Sequence, residues 1–256
     1  MTFLTHSLYL TIRHLRALWR QPWYVAITLV QPIFWLLLFG ALFKKIVEIP
    51  GFGASSYIDF LTPGIVIMSA FFSAGWVGMG IIEDLERGVM DRLLISPANR
   101  GAMIVGRLSY QSVVTLVQTA IIIGLGWLSG AHFQGGPAGA LLLTVAAILL
   151  GIVFASLSMT VALLLRNQES LIGVAQFMTL PLSFLSAAFM QLTLAPAWIQ
   201  KAALFNPVNW AVVAGRDAVS AEDWNAVLTN SIELAALAFV FAWLSTRAFR
   251  AYQHSV

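Results

Sequence analysis

Residues 60–97 read FLTPGIVIMSAFFSAGWVGMGIIEDLERGVMDRLLISP. The part over 60–82 contains no Asp, Glu, Lys or Arg, whereas 83–97 is the most charged part of the chain. An α-helix rises about 1.5 Å per residue and the hydrocarbon core of a bilayer is about 30 Å thick, so roughly 20 apolar residues cross it. This stretch therefore predicts a membrane-spanning helix that leads directly into a charged segment at one membrane surface.

The rest of the chain contains further long uncharged runs. Hydrophobic residues make up 59% of the sequence and charged residues only 10%, against roughly 25% charged in an ordinary soluble domain. This composition excludes a soluble or nucleic-acid-binding protein, and the continuous apolar runs exclude the alternating strands of a membrane barrel. We predict an all-α polytopic membrane protein with six transmembrane helices, over 21–43, 60–82, 108–129, 139–165, 170–189 and 224–246.

The basic residues predict the orientation of these helices. Six spans place both termini on the same side of the membrane. Only four of the 14 Lys and Arg residues then fall on the opposite side: Lys44, Lys45, Lys201 and Arg216. The positive-inside rule then places both termini in the cytoplasm.

Before the first span, residues 1–20 are typical of an amphipathic helix that lies on the membrane surface. Apolar residues recur at helical spacing along one side, and Arg13, Arg16 and Arg20 project from the other. The apolar side suits the acyl boundary and the arginines suit anionic headgroups. This interface helix is either a topology anchor alone or also a contact for a cytoplasmic partner.

The segment 83–97 combines both signs of charge with one apolar stripe. Leu85, Val89 and Leu93 are spaced at i, i+4 and i+8, which predicts a short amphipathic helix, and Pro97 ends it. A mixed-charge surface beside an apolar stripe favours docking into a protein groove over a plain solvated loop. The docking residues that we predict are Glu83, Asp84, Leu85, Glu86, Arg87, Val89, Asp91, Arg92 and Leu93.

On the outer side, 193–223 contains two apolar pieces that are too short to span the membrane. They are joined at Asn206-Pro207 and followed by Arg216-Asp217. Such pieces can enter the bilayer and return when protein surrounds their backbone. We therefore predict an outer re-entrant segment in which Lys201 and Arg216 are reachable from outside, while 204 and 212 are shielded.

Several chemistries find no support in the sequence. It contains no G-x-x-x-x-G-K-[ST] motif and no cysteine, so we expect neither a nucleotide-binding loop nor a thiol-based site. The four histidines are scattered and predict no metal site. Glu233 is the one acid within a span, and it has either a structural role or a role in proton or cation transfer.

Two motifs carry a family resemblance. The first is 60–66 continued by 83–97, and the second, weaker one is Asn206-Pro207 with Arg216-Asp217. With them, nearly the whole chain resembles the permease subunits of ABC-2 type exporters, closest to the daunorubicin/doxorubicin-resistance permeases of bacteria and archaea.

This resemblance implies a membrane-embedded complex. It implies a second copy of this chain, two copies of a separate ABC ATPase subunit that binds ATP and Mg, and no cofactor on this chain itself. It makes 83–97 the coupling helix seated in the ATPase, and 193–223 the outer gate, with Asn206, Pro207, Arg216 and Asp217 as its marked residues. It also implies the plasma (inner) membrane of a bacterium or archaeon.

The cargo path would follow the dimer seam and be apolar and aromatic. The candidates for its lining are Phe34, Trp35, Phe71, Phe72, Trp76, Phe177, Phe184 and Phe189. They indicate a lipophilic or amphipathic, drug-like cargo moved out of the cytoplasm or inner leaflet. A lipid-linked glycan or lipo-oligosaccharide is the alternative cargo, and an ion-coupled carrier and a non-transporting membrane scaffold are the alternative classes.

Overall fold

A computed structural model describes residues 3–20, 22–49, 56–89 and 100–253 of the 256-residue chain. Every regular element within these ranges is helical, and they contain no strand. Two 3₁₀ turns, Lys44–Glu48 and Leu192–Leu194, accompany the longer elements. The α-helices of the described ranges are α1 (Phe3–Arg20), α2 (Pro22–Leu42), α3 (Tyr57–Gly75), α4 (Met79–Glu86), α5 (Arg100–Leu128), α6 (Gly136–Leu165), α7 (Gln168–Phe184), α8 (Ala197–Ala203), α9 (Pro207–Ser220) and α10 (Trp224–Gln253).

Helix α6 lies at the centre of the fold and packs against α3, α5, α9 and α10. It is apolar all round, and its sequence mixes Leu with Ala, Gly and Ser. A helix without a polar face is stable only when protein or lipid surrounds it. Small residues allow neighbouring backbones to approach closely, which is how helices associate in a membrane.

The predicted span 60–82 is divided between two helices. Helix α3 ends at Gly75, a turn follows, and α4 begins at Met79, inside the predicted span. Ser158 of α6 stabilises this break, because its Oγ donates to the carbonyl oxygen of Gly75 at 2.6 Å and accepts from the amide of Gly78 at 3.0 Å. A helix break at membrane depth needs such partners for its backbone groups.

Four helical stretches of the described residues are long and apolar enough to cross a membrane: Tyr57–Glu86, Gly101–Leu128, Gly136–Leu165 and Trp224–Arg250. These stretches agree with an all-α membrane protein. Helix α2 contributes the shorter apolar stretch Ala26–Leu42, and α7 has 17 residues. The count of six spans stays a prediction.

Helix bounds differ from the predicted spans for a physical reason. Helix α5 begins at Arg100 and contains Arg107, although the predicted span began after that arginine. Helix α7 ends at Phe184, shortly after Pro181, although the predicted span ran to 189. Charged residues mark the edge of the hydrocarbon layer, whereas caps, prolines and packing decide where the backbone leaves the helix.

Polar contacts between helices mark the two ends of the bundle, and others lie between the ends, such as Gln111 with Ser73 and Gln118 with Thr28. At one end, the amide of His132 donates to Asp59 at 2.8 Å, and we name this the outer end. At the other end, Arg107 pairs with Asp84, and Gln168 donates to Glu86. We name this the inner end. The two names follow the predicted orientation, which stays a prediction.

Glycines of α3 provide a matched test of close packing. A Cβ on Gly64 would lie 2.2 Å from the carbonyl oxygen of Ala188, whereas a Cβ on Gly75 would meet nothing within 4 Å. We expect Gly64→Ala to destabilise the protein by about 1–3 kcal/mol, because backbone must move to admit the methyl group. Gly75→Ala should be neutral or stabilising by up to about 1 kcal/mol. Thermal unfolding in detergent measures both, and equal midpoints for the two variants would contradict the packing.

Candidate functional site

Helix α4 carries the described part of the predicted coupling residues. Ile81 and Ile82 are buried, while Glu83 and Arg87 are exposed. Arg87 lies 3.6 Å from Glu83 in an i,i+4 ion pair, with side chains 72% and 49% exposed. Such an exposed pair contributes little to stability. This leaves both charged groups available at the surface of the inner end.

Two other acids of the same segment bond to neighbouring helices, Asp84 in a shielded site and Glu86 at the surface. Asp84 forms an ion pair with Arg107 of α5, and both side chains are largely shielded. Both oxygens of Glu86 accept from Gln168 Nε2, at 3.0 and 2.9 Å. Of the four predicted charged residues over 83–87, Asp84 is thus shielded and the other three are exposed.

The rest of the predicted coupling helix is only partly described. The predicted continuous helix over 83–97 is wrong in its first part, because α4 ends at Glu86 and Gly88 adopts a left-handed φ of 62°. Leu85 and Val89 are each half-buried but lie on opposite sides of this turn, so their i,i+4 spacing does not place them on one helix face. Asp91, Arg92 and Leu93 lie outside the described residues.

At the outer end, the chain reverses between α7 and α9, and side chains of α9 hold that reversal. Asn206 caps α9, because its Oδ1 accepts from the amide of Val208 at 3.0 Å. Its Nδ2 donates to the carbonyl oxygens of Leu182 and Leu185, at 2.7 and 2.8 Å. Pro207 follows in the first turn, where its missing N–H costs nothing. One asparagine thus joins the end of α7 to the start of α9.

Arg216 and Asn209 complete the same connection. Asn209 Oδ1 accepts from the amide of Ala187 at 3.0 Å. Arg216 Nη2 donates to the carbonyl oxygens of Ala187 at 2.8 Å and Phe60 at 3.2 Å. The guanidinium also lies over the ring of Phe60, 3.6 Å from its centroid, a favourable cation–π arrangement. The two motifs that carried the family resemblance meet here.

This geometry changes the expectation for the outer segment. Arg216 is half-buried and bonded to backbone, rather than displayed to the outside, whereas Lys201 is exposed as expected. Val212 is buried and Leu204 is 67% exposed on this chain, and the re-entrant segment stays a prediction. Sequence spacing placed these residues near the membrane and could not show which of them face a neighbouring helix.

Burial shifts the pKa of both charged residues of α9. Burial lowers the pKa of Arg216 to about 9, although nearby Asp217 favours the charged form. Burial also raises the pKa of Asp217 to about 6, with further repulsion from Glu222 and Asp223 and an opposing effect of Arg216. Asp217 lies in the last turn of α9, where the helix dipole also disfavours a negative charge.

Comparison with known proteins assigns this architecture. Residues 5–219 match the family model described as ABC-2 type transporter. The chain belongs to the ABC-2 transporter family.

Named relatives agree with this membership. The chain is 30% identical to a putative transport permease, ycf38, of Cyanophora paradoxa, over 80% of this chain and 71% of the relative. It is 26% identical to the daunorubicin resistance ABC transporter permease protein DrrB1 of Streptomyces coeruleorubidus, over 86% and 77%. It is 25% identical to the probable doxorubicin resistance ABC transporter permease protein DrrC of Mycobacterium tuberculosis, over 77% and 71%. The chain is thus a membrane subunit of an ABC transporter.

In this ABC-2 subunit, α1 uses an unexpected side to reach the bundle. Arg13 and Arg16 are exposed as predicted, and Arg20 is the last residue of the helix. Leu8 of the apolar side is 60% exposed. The contact with α5 involves Ser7, Leu10, Thr11 and His14 instead. Leu8 is therefore exposed on this chain, whereas Ile12 and Leu15 of the same side are half-buried.

The predicted cargo-path aromatics separate into three groups. Trp35 of α2 makes edge contacts with Phe72 and Phe189, at centroid distances of 5.7 and 5.3 Å. Phe71 is buried against Phe154 of α6 at 4.4 Å and belongs to the core. The remaining four predicted aromatics, Phe34, Trp76, Phe177 and Phe184, are exposed.

The aromatic cluster includes a residue that sequence reasoning missed. Phe39 lies 6.2 Å from Trp35 and 5.9 Å from Phe189, centroid to centroid. Its position four residues after Trp35 on one helix was an available signal, because i and i+4 share a face. We name Trp35, Phe39, Phe72 and Phe189 the aromatic cluster.

Glu233 lies apart from the other predicted site residues. It is exposed on α10, as are Thr229 and Ala236 one turn away on either side. It therefore belongs to an outward face of the bundle. Among the residues that the structure describes, no group of three or more acidic or histidine side chains could hold a metal ion.

Replacing Arg216 tests the outer connection. We expect Arg216→Lys to lower stability by about 2 kcal/mol, because an ammonium group cannot bond both carbonyl oxygens and stack flat on Phe60. Lys201→Met, at the exposed basic residue of α8, is the matched control and should leave the unfolding midpoint unchanged. Thermal unfolding in detergent measures both variants, and a wild-type midpoint for Arg216→Lys would contradict the assigned role.

Asp217 predicts a pH dependence of stability. Its pKa is raised from 3.8 to about 6, so the folded state binds a proton more tightly than the unfolded chain. Wild-type stability therefore loses a contribution as pH rises from about 4 to about 6. Asp217→Asn should remove this loss. Its unfolding midpoint should therefore increase relative to that of the wild type as pH rises. Glu169→Gln, at an exposed acid, is the control, and parallel wild-type and Asp217→Asn curves would be inconsistent with the shift.

Proposed function

We propose that this chain is the permease subunit of an ATP-driven exporter of lipophilic or amphipathic, drug-like molecules. The observation that carries the proposal is the division of α4 into two faces. Asp84 is shielded and paired with Arg107 of α5, while Glu83, Glu86 and Arg87 are exposed at the inner end. A rigidly held surface with free charges suits a protein that must receive a mechanical signal from a partner.

That partner is a separate ABC ATPase, present in two copies. The sequence contains no phosphate-binding G-x-x-x-x-G-K-[ST] motif, so ATP and Mg bind to the partner and not to this chain. The exposed ion pair of α4 and the half-buried Leu85 and Val89 form the docking surface. Binding through mixed charge gives specificity and speed of association.

The cargo route passes the aromatic cluster. Three segments, α2, α3 and the reversal after α7, contribute its rings, and they contact one another edge to face. A flat apolar cargo molecule can pack against these aromatic rings. Daunorubicin and doxorubicin appear in the names of the relatives, and both names support a drug-like cargo. The outer segment, with Asn206, Pro207, Arg216 and Asp217, closes this route from outside.

A second copy of the chain completes the route. Helices α2 and α7 present large exposed apolar side chains, with Phe34 58% and Phe177 80% exposed. Phe184 is similarly exposed at the outer end of α7. Two copies that pair through these faces bury them and bring the two aromatic clusters to the same seam.

The surrounding membrane is the plasma membrane of a bacterium or archaeon, with the inner end in the cytoplasm. The excess of Lys and Arg at that end supports this orientation. Helix α1 lies along the cytoplasmic leaflet, with its exposed Arg13 and Arg16 near lipid headgroups.

Inside-out proteoliposomes that contain this chain and its co-purified ATPase test the proposal. Fluorescent doxorubicin serves as the probe. We expect uptake that requires ATP, that is lost when the ATPase carries a Lys→Ala change in its phosphate-binding loop, and that ionophores leave intact. The chain purified alone should hydrolyse no ATP. Arg87→Glu should reduce uptake by at least about fivefold, the effect of losing one strong interface contact.

Arg250→Glu is the matched control, because Arg250 is also exposed at the inner end but lies on α10. It should transport like the wild type. Uptake that ionophores abolish and ATP depletion spares would establish an ion-coupled carrier instead. Failure to retain any ATPase under mild purification would support a membrane scaffold.

A further inference from the structure

One shielded side chain, Arg107, joins the inner ends of α4 and α5. Its Nη2 pairs with Asp84 Oδ2 and also donates to the carbonyl oxygen of Gly80 at 3.1 Å. The side chains of Arg107 and Asp84 are only 13% and 19% exposed. A Cβ on Gly80 would lie 2.7 Å from Arg107 Nη1, so the guanidinium lies directly against the backbone of α4. Its planar array of donors can bond a carboxylate and a carbonyl together.

The neighbouring residue brings α1 to the same place. A Cβ on Gly106 would lie 2.9 Å from the Cβ of Leu10, so α1 and α5 are too close together for a side chain at position 106. The rings of His14 and Tyr110 lie 5.8 Å apart, centroid to centroid. Residues of α1, α4, α5 and α10 line one small cavity around Arg107: Leu10, Arg13, His14, Ile81, Asp84, Met103, Ile104 and Phe249.

This arrangement places the two neighbouring acids Glu83 and Asp84 in different environments. Glu83 pairs with Arg87 of its own segment, and both side chains are exposed. Asp84 is held inward, and an approaching protein could bind it only after breaking the pair with Arg107. Separating a shielded ion pair leaves a charge without its partner, which costs far more than exposing a surface acid.

We propose that Arg107 is the positioning residue of the coupling segment, and that Asp84 is its anchor and not an ATPase contact. Arg107 keeps α4 seated on α5 and α1, so the three elements move as one unit when a partner displaces α4. The mechanical part of this inference rests on the proposed function. The seating of α4 does not, and it is testable on this chain alone.

Cysteine labelling measures the seating directly, because the chain contains no native cysteine. Ile81 is buried and lines the cavity beside Arg107. Ile81→Cys should react slowly with a maleimide in the full chain in detergent. Adding Arg107→Gln should accelerate its labelling at least about tenfold, since losing a charged hydrogen-bond pair shifts local opening by that order. Ile122→Cys, buried on the outer half of α5, is the control and should stay unreactive.

Coupling is measured in proteoliposomes with the ATPase, by comparing two neighbouring acids. We expect Asp84→Asn to bind the ATPase like the wild type but to transport several-fold less doxorubicin per ATP hydrolysed. Glu83→Gln should show the opposite pattern, with weaker ATPase binding and an unchanged transport-to-hydrolysis ratio. If Asp84→Asn does not fold, Asp84→Asn with Arg107→Gln provides a neutral pair without an orphan charge and takes its place. Arg107→Lys should restore part of the ratio.

The outcomes separate the two proposals. Unchanged labelling at Ile81→Cys in the Arg107→Gln background would mean that packing alone seats α4, and would overturn the inference. Weaker ATPase binding by Asp84→Asn with a normal ratio would also overturn it. If Arg107→Gln accelerates labelling but the wild-type chain binds no ATPase, Arg107 remains the residue that seats α4 and the proposed function is removed.

Discussion

The chain must satisfy its backbone polar groups where it reverses between α7 and α9. A backbone N–H or C=O that is buried without a hydrogen-bond partner costs several kcal/mol, on the order of the transfer penalty. Side chains of one short helix meet this demand: Asn206, Asn209 and Arg216 bond the segment that contains Ala187. The position of α9 follows from this requirement, and α9 in turn fixes the neighbours on which it packs.

Those neighbours receive α9 through glycines. A Cβ on Gly135 or Gly139 would lie 2.1 or 2.3 Å from the carbonyl oxygen of Ala218, so α9 contacts the start of α6 backbone to backbone. Gly64 of α3 contacts the backbone of the reversal in the same way, at Ala188. Close approach of this kind gives dispersion contacts that replace the hydrophobic effect, which is absent between helices in lipid. The outer end is consequently tightly packed where α9 and the reversal before it meet α6 and α3.

The inner end is organised by charge instead. Arg107 and Asp84 form a shielded pair, whereas Glu83 and Arg87 form an exposed one. One short segment therefore carries a shielded ion pair and an exposed ion pair side by side. In the proposed function, the exposed pair is the docking surface. This division connects the inner end to the proposed role in an ATP-driven transporter.

Composition and charge by themselves determined the class of this protein and the placement of its polar segments. Apolar runs and scarce charges indicated membrane helices, and two motifs indicated the ABC-2 family, because these properties depend only on which residues are present and in what order. Tertiary structure decided the rest. Asp84 and Glu83 are adjacent acids in sequence, yet one faces α5 and the other solvent. The sequence predicted Arg216 to be a charge on the outer surface, yet its side chain donates a hydrogen bond to the carbonyl oxygen of Phe60, which is far away in the chain. Only packing brings such residues together, since helix rotation and the route of the chain between helices are set by contacts that local sequence does not encode.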